Sequence, residues 1–267
     1  MKQKLIKNKN TATRKHSLIA ALTIMFFAAC SFTNNANAQV KNIVLVHGAF
    51  ADGSGWQKLH DILTAKGFNV SVTGNPDIGV TEDVAATQRV IDRQDGPCIL
   101  VGHSYGGAII TIAGNSPKVK GLVYVSAFAP DSGETLIGLL QSYPPDPLSG
   151  VLPPDKDGFV WFDKAKFHTG FCADLPKPMA DFMADSQLPT AVSAFVYVFK
   201  DIAWKKKPTW YIVATQDHAI PPDLERKMGK RTGGKVSEIV SSHVIFISHP
   251  AEVAKIVEGA ANGSPAI

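Results

Sequence analysis

The chain is poor in cysteine: Cys30, Cys98 and Cys172 are the only three in 267 residues. That excludes a disulfide framework and leaves a buried core as the source of stability. No cysteines and histidines stand at metal-ligand spacing, and no glycine-rich loop of the phosphate-cradling kind occurs. Neither a metal centre nor a nucleotide site is therefore expected. No apolar run reaches the roughly 20 residues of a membrane span. An excess of positive charge is also missing where it would matter. Of the 27 Lys+Arg, six precede Gln39, whereas all 23 Asp+Glu follow it, so residues 39–267 carry 21 cations against 23 anions, a net of −2. Lys205-Lys206-Lys207 is the one basic cluster left, and it reads as a solvated turn. Nucleic acid is thus not an expected partner.

The six early cations lie at Lys2, Lys4, Lys7, Lys9, Arg14 and Lys15, ahead of an apolar stretch over 18–27 and the small residues Ala36-Asn37-Ala38. That order is the order of a signal peptide spanning residues 1–38, cut after Ala38. A rival reading takes Phe27-Ala28-Ala29-Cys30 as a lipobox, with a lipid anchor at Cys30 as the only membrane attachment. Either reading implies export, to the periplasm or the medium. The remaining residues, 39–267, suit one well-buried domain, as monomer or homodimer.

What is present is alternation. Apolar, β-branched runs at 43–46, 69–72, 98–101, 121–126, 209–214 and 236–240 read as strands. Helical patterns lie at 56–66, 81–94, 105–114, 222–229 and 251–260, the last with Ser248 or His249 placed to cap it. Strands alternating with helices predict an α/β fold, a mostly parallel sheet of about six strands flanked by helices. Between residues 130 and 207 the alternation stops and proline and aromatics accumulate. A structureless loop of that length is improbable in a compact domain, so this stretch is expected to form a helical cap inserted between two core strands.

The chemistry is carried by Gly102-His103-Ser104-Tyr105-Gly106-Gly107. It fits Gly-x-Ser-x-Gly, entered from an apolar strand and followed by an apolar helix, which puts a serine hydroxyl on a tight corner. Glycines at 102 and 106 remove the Cβ atoms that would clash where the backbone folds back. A serine nucleophile needs a base, and the base needs an orienting acid, expected in the chain order serine, acid, histidine. Asp217 follows the run 209–214, and His243 follows the run 236–240. Asp131, after an earlier strand, is the alternative acid, and His249 the nearest alternative base. Two backbone N–H groups must also face the developing oxyanion. One is expected from Tyr105 and the other from the turn Val46-His47-Gly48-Ala49-Phe50, with Ala49 or Phe50 as donor. Gly48 brings that turn close to Ser104, and His47 is read as a structural hydrogen-bonding residue.

With these segments in place the chain resembles an α/β-hydrolase over residues 40–257. It is similar to the small esterases that resemble plant methylesterases and hydroxynitrile lyases, and to bacterial carboxylesterases with a cap segment like Phe167-His168-Thr169-Gly170-Phe171-Cys172-Ala173-Asp174-Leu175-Pro176. The resemblance implies a small-molecule ester as substrate, no cofactor, and a Ser104-His243-Asp217 triad. Cyanohydrin-cleaving relatives typically carry threonine where this chain has Gly48, and lysine where it has Val244. Both differences favour the esterase over the lyase. A ligand-binding protein on the same scaffold, with little turnover, is the reading from a different class.

Overall fold

The computed structural model describes residues 39–263; the leader, the Ala38 cut and Cys30 lie outside them. Among the described residues, six strands form one sheet: β1 (Asn42–Val46), β2 (Asn69–Val72), β3 (Cys98–Ser104), β4 (Val119–Ala127), β5 (Thr209–Ala214) and β6 (Lys235–Ile239). Their spatial order is β2-β1-β3-β4-β5-β6, and every neighbouring pair is parallel. The α-helices among the described residues are α1 (Gln57–Ala65), α2 (Val80–Asp92), α3 (Tyr105–Ala113), α4 (Leu136–Gln141), α5 (Lys164–Phe171), α6 (Lys177–Ser186), α7 (Val192–Val196), α8 (Pro222–Arg231), α9 (Ile245–Ser248) and α10 (Pro250–Ala261).

The four central strands are buried along most of their length, as continuous runs of Val, Ile and Leu require. The edge strands behave differently. Both β2 and β6 are half exposed, because one side of each has no neighbouring strand and polar residues are tolerated there. Strand β3 also runs past residue 101, pairing with β4 as far as Ser104 against Ala127.

Between β4 and β5 lie α4 to α7 and a two-residue antiparallel ladder joining Phe159–Val160 to Thr190–Ala191. An aromatic cluster ties this insertion to the sheet. Phe50, in the loop after β1, meets Phe162 and Phe171 edge-on at 5.8 and 6.4 Å, and Phe167 packs on both of the latter. Such pairs add about 0.5–1.5 kcal/mol each beyond the area they bury.

Two local expectations are corrected. A 3-10 turn over Gly53–Trp56, capped by the Asp52 carboxylate accepting from the Ser54 N–H, precedes the first helix, which begins only at Gln57. At the last helix neither candidate side chain caps. Ser248 hydrogen-bonds Ser241, and His249 pairs with Glu252, so both side chains are committed elsewhere.

Candidate active site

Ser104 ends β3 and immediately precedes α3, with φ 53° and ψ −122°. Few non-glycine residues adopt positive φ. The surroundings impose it, because β3 stays paired up to Ser104 while the next residue already opens a helix. Gly106 permits the corner: a Cβ there would overlap the carbonyl oxygens of Val46 and His47. Gly48 does the same for the facing turn, since a Cβ would stand 2.6 Å from the Cβ of Ser104. The turn at Gly48 is therefore pressed against the serine, and Phe50, two residues on, is itself at φ 63°.

Asp217 and His243 lie in the turns after β5 and β6, and each is 1% exposed. His243 Nδ1 donates to Asp217 Oδ2 at 2.5 Å. The other carboxylate oxygen, Oδ1, accepts the N–H groups of Ala219 at 2.7 Å and Ile220 at 2.9 Å. With Nδ1 carrying the proton, Nε2 is left as an acceptor, and it is buried with no partner among the described residues. No hydrogen bond joins it to Ser104 Oγ there, as is common before substrate tightens a site.

His243 is held from three sides. His103 Nε2 donates to the His243 backbone carbonyl at 3.0 Å. Burial, then the neighbouring His243, holds the His103 imidazole well below its usual range, so it is a neutral strut. Phe171 lies 4.9 Å from the His243 ring, bringing the cap onto the base. Third, Asp174, between α5 and α6, accepts from Ser241 Oγ at 2.7 Å, from the Ser242 N–H at 3.0 Å and from Ser242 Oγ.

The rival residues are accounted for by other partners. Asp131 pairs with Lys205 and accepts from the Ser132 N–H. His60 pairs with Asp61, His218 with Asp146, and His249 with Glu252, while His168 donates to the Leu175 carbonyl. His47 accepts from the Asn75 N–H and donates to the Gly48 carbonyl, both at 3.0 Å. That pattern fixes it as a neutral support beneath the turn, and burial lowers its basicity accordingly. Cys98 and Cys172 are free and buried. Among the described residues no group of histidine, cysteine or carboxylate side chains is placed to hold a metal ion.

Three participants carry no role in the sequence reading. Asp174 appears there only within the cap segment 167–176, and Asp83 on α2, which accepts the Tyr105 hydroxyl at 2.6 Å, does not appear at all. Glu225 is fully buried, at a position where α8 also buries Leu224, Met228 and Gly229. The helical spacing of those apolar neighbours was the one signal that would have marked it.

A cavity of about 260 Å³ opens beside the serine loop, lined by Phe50, His103, Phe171, Met183, Val244 and Phe246. Its walls are mostly apolar, with Asp52 and Ser54 at one margin.

A profile of the alpha/beta hydrolase family matches residues 43–256. Among characterised proteins, the chain is 29% identical over 244 residues to a pyrethroid hydrolase of Sphingobium wenxiniae, covering 82% of this chain and 86% of that one. It is 26% identical over 254 residues to a carbendazim hydrolyzing esterase of Nocardioides sp., covering 80% and 97%. The crystal structure of a pyrethroid hydrolase superposes with a TM-score of 0.73 at 24% identity, over 83% of this chain and 97% of that one. The last likeness is one of fold.

Proposed function

The chain belongs to the alpha/beta hydrolase family, and from that premise we propose that it is an exported carboxylic-ester hydrolase acting through an acyl-enzyme on Ser104. The observation that carries the proposal is the combination of a strained serine at a strand-helix corner with a buried His243–Asp217 couple whose Nε2 has no hydrogen-bond partner among the described residues. In this mechanism Ser104 Oγ attacks the ester carbonyl carbon while its proton passes to His243 Nε2. Asp217 holds the Nδ1–H tautomer and stabilises the imidazolium as it forms. The oxyanion of the tetrahedral intermediate accepts from the backbone N–H groups of Tyr105 and Ala49, with Phe50 as the alternative to Ala49. Collapse expels the alcohol, which takes the proton from His243. Water, deprotonated by the same nitrogen, then attacks the acyl-enzyme and releases the acid and free serine. Since the imidazole must be neutral to accept the serine proton, activity falls as acid protonates it.

The apolar lining at Phe50, Phe171, Met183 and Phe246 supports a hydrophobic or aryl group on one side of the ester. Val244, buried directly after the base, offers no cation to a departing cyanide, which weighs against the lyase. Export is part of the proposal and rests on the basic leader, the apolar stretch and Ala36-Asn37-Ala38.

The test is covalent labelling of the exported protein with a fluorophosphonate, mapped by peptide mass spectrometry, beside turnover of p-nitrophenyl acetate and butyrate. Label on Ser104, with turnover reduced at least about 10³-fold in Ser104→Ala, is the expected result. Absence of both label and turnover would leave a ligand-binding protein on this scaffold as the better reading.

A further inference from the structure

Glu225 is a fully buried carboxyl beside the triad acid that the mechanism above leaves unused. It is 0% exposed, on the face of α8 that also buries Leu224 and Met228. A lone charged carboxylate there would be costly unless paired with a cation or kept neutral. Among the described residues no cation pairs with it. Arg226, the next residue on the helix, gives its guanidinium to Glu238 and Asp223. From β5, the Tyr211 hydroxyl is donated to the Ala127 carbonyl, and from β3, His103 is neutral. From the turn after β6, His243 is engaged by Asp217.

The two Glu225 oxygens are not equivalent. Oε2 accepts the Ala214 N–H at 3.1 Å, at the end of β5 and three residues before Asp217. Oε1 is buried with no hydrogen-bond partner among the described residues, and the Asp217 carboxylate is close enough for its charge to act on the Glu225 side chain. Asp217 in turn has Oδ1 filled by two backbone N–H groups and Oδ2 by the imidazole. Two neighbouring buried carboxyl groups, one with an oxygen that no donor reaches, are reconciled by a single proton held between them. Burial, then the negative charge of Asp217, pushes the Glu225 carboxyl well above the usual carboxylate range.

We propose that Glu225 is a positioning residue whose neutral carboxyl donates its O–H to Asp217 and keeps a single negative charge beneath His243. This rests on the triad reading given above. The hydrogen bond fixes Asp217 against a donor other than the imidazole and draws off part of its charge. An ionised Glu225 would instead place two charges behind the base, hold the imidazolium too tightly and delay return of its proton to the leaving alcohol.

The experiment compares wild type with Glu225→Gln, Glu225→Leu and Ser104→Ala, all folded by circular dichroism, using pH profiles of kcat and kcat/KM for p-nitrophenyl butyrate. Glutamine cannot ionise, yet its amide N–H reaches Asp217 and its carbonyl accepts from Ala214. Its acidic limb is expected to overlay that of wild type within about 0.2 pH units, with kcat within about threefold. Leucine removes the donor. It is expected to move the acidic limb upward by about half a unit and lower kcat about tenfold, with KM little changed. An acidic limb that falls by half a unit or more in Glu225→Gln would show that wild-type Glu225 carries a charge and would overturn the proposal, even if Glu225→Leu does not fold. So would a Glu225→Leu limb that stays in place. Turnover surviving in Ser104→Ala would instead sink the triad reading itself, a separate outcome.

Discussion

The hydrogen bonds that His243 and the following loop make to the Asp217 carboxylate do two different things. Its Oδ2 bond to His243 selects the tautomer, whereas the two N–H bonds to Oδ1 hold the carboxylate in place. Asp217→Asn keeps the shape but offers an amide N–H to Nδ1 and so selects the wrong tautomer. A fall in kcat of about 10³–10⁴-fold is expected, with a melting temperature close to wild type, both measured on one preparation. Asp77 shows the opposite use of a buried carboxyl. It is 0% exposed at φ 55°, its N–H donates to Asp83, and neither of its own oxygens finds a donor in the hydrogen-bond geometry. Burial, then the charge of Asp83, raises its pKa to about 9, with Thr190 opposing. The folded state thus keeps a proton that the unfolded chain releases above the ordinary carboxylate range. Stability therefore falls as pH rises from there towards 9, by at most about 1.4 kcal/mol per unit for this group. Asn tolerates the same backbone conformation and carries no such linkage. Asp77→Asn should stabilise the protein, and by more at pH 8 than at pH 5 in thermal unfolding. An equal effect at both values would mean that Asp77 is already charged.

At the scale of elements, the cap is joined by hydrogen bonds to the turn that carries His243 as well as packing against it. Asp174 leaves the α5–α6 loop to receive Ser241 and Ser242, the two residues before His243. Its burial favours the neutral acid, but the hydrogen bonds from Ser242, Ser241 and Ser248 outweigh that and hold its pKa below the usual value. Asp174→Ala removes a charged acceptor from three donors and is expected to cost about 2–3 kcal/mol in denaturant unfolding. It should also lower kcat, because the strand-exit turn that carries the base loses its anchor. A variant with wild-type stability and kcat would show that the cap holds the turn by packing alone. Elements also mark where sequence reading was strong. The runs at 69–72 and 209–214 match β2 and β5 residue for residue, because an apolar or alternating period and its flanking turns are local properties. The cap was legible only as an interruption, since its helices are short and their amphipathic faces answer to partners distant in sequence.

At the scale of the whole molecule, the described body begins by pairing with its own end. The Val40 N–H donates to the Ala261 carbonyl at 2.8 Å, and Gln39 Nε2 donates to Asn262 Oδ1 at 2.7 Å. A cut after Ala38 leaves both contacts in place and removes six cations. The proposed export therefore predicts a mature protein with net charge −2 whose intact mass corresponds to a start at Gln39. Mass spectrometry of the exported protein checks this. A lipid-modified start at Cys30 would replace that outcome with a membrane-anchored one, and an uncleaved chain would refute export by this leader.

Sequence alone determined the α/β class, the serine corner and the two turns that deliver Asp217 and His243. Each of these depends on short-range rules: side-chain period, glycine where a Cβ cannot fit, and loops that follow strands. Only the tertiary structure decided which histidine meets which carboxylate, because eight histidines and many acids satisfy the same local grammar. It also brought in Asp174, Asp83 and Glu225. Asp174 lies 67 residues from Ser241, and Asp83 lies 22 from Tyr105. Glu225, only eight residues beyond Asp217, needed the helix to be seated on β5 before its carboxyl could face the acid. A buried polar contact is fixed by where folded elements come to rest, and that is set by packing across the whole core rather than by any segment.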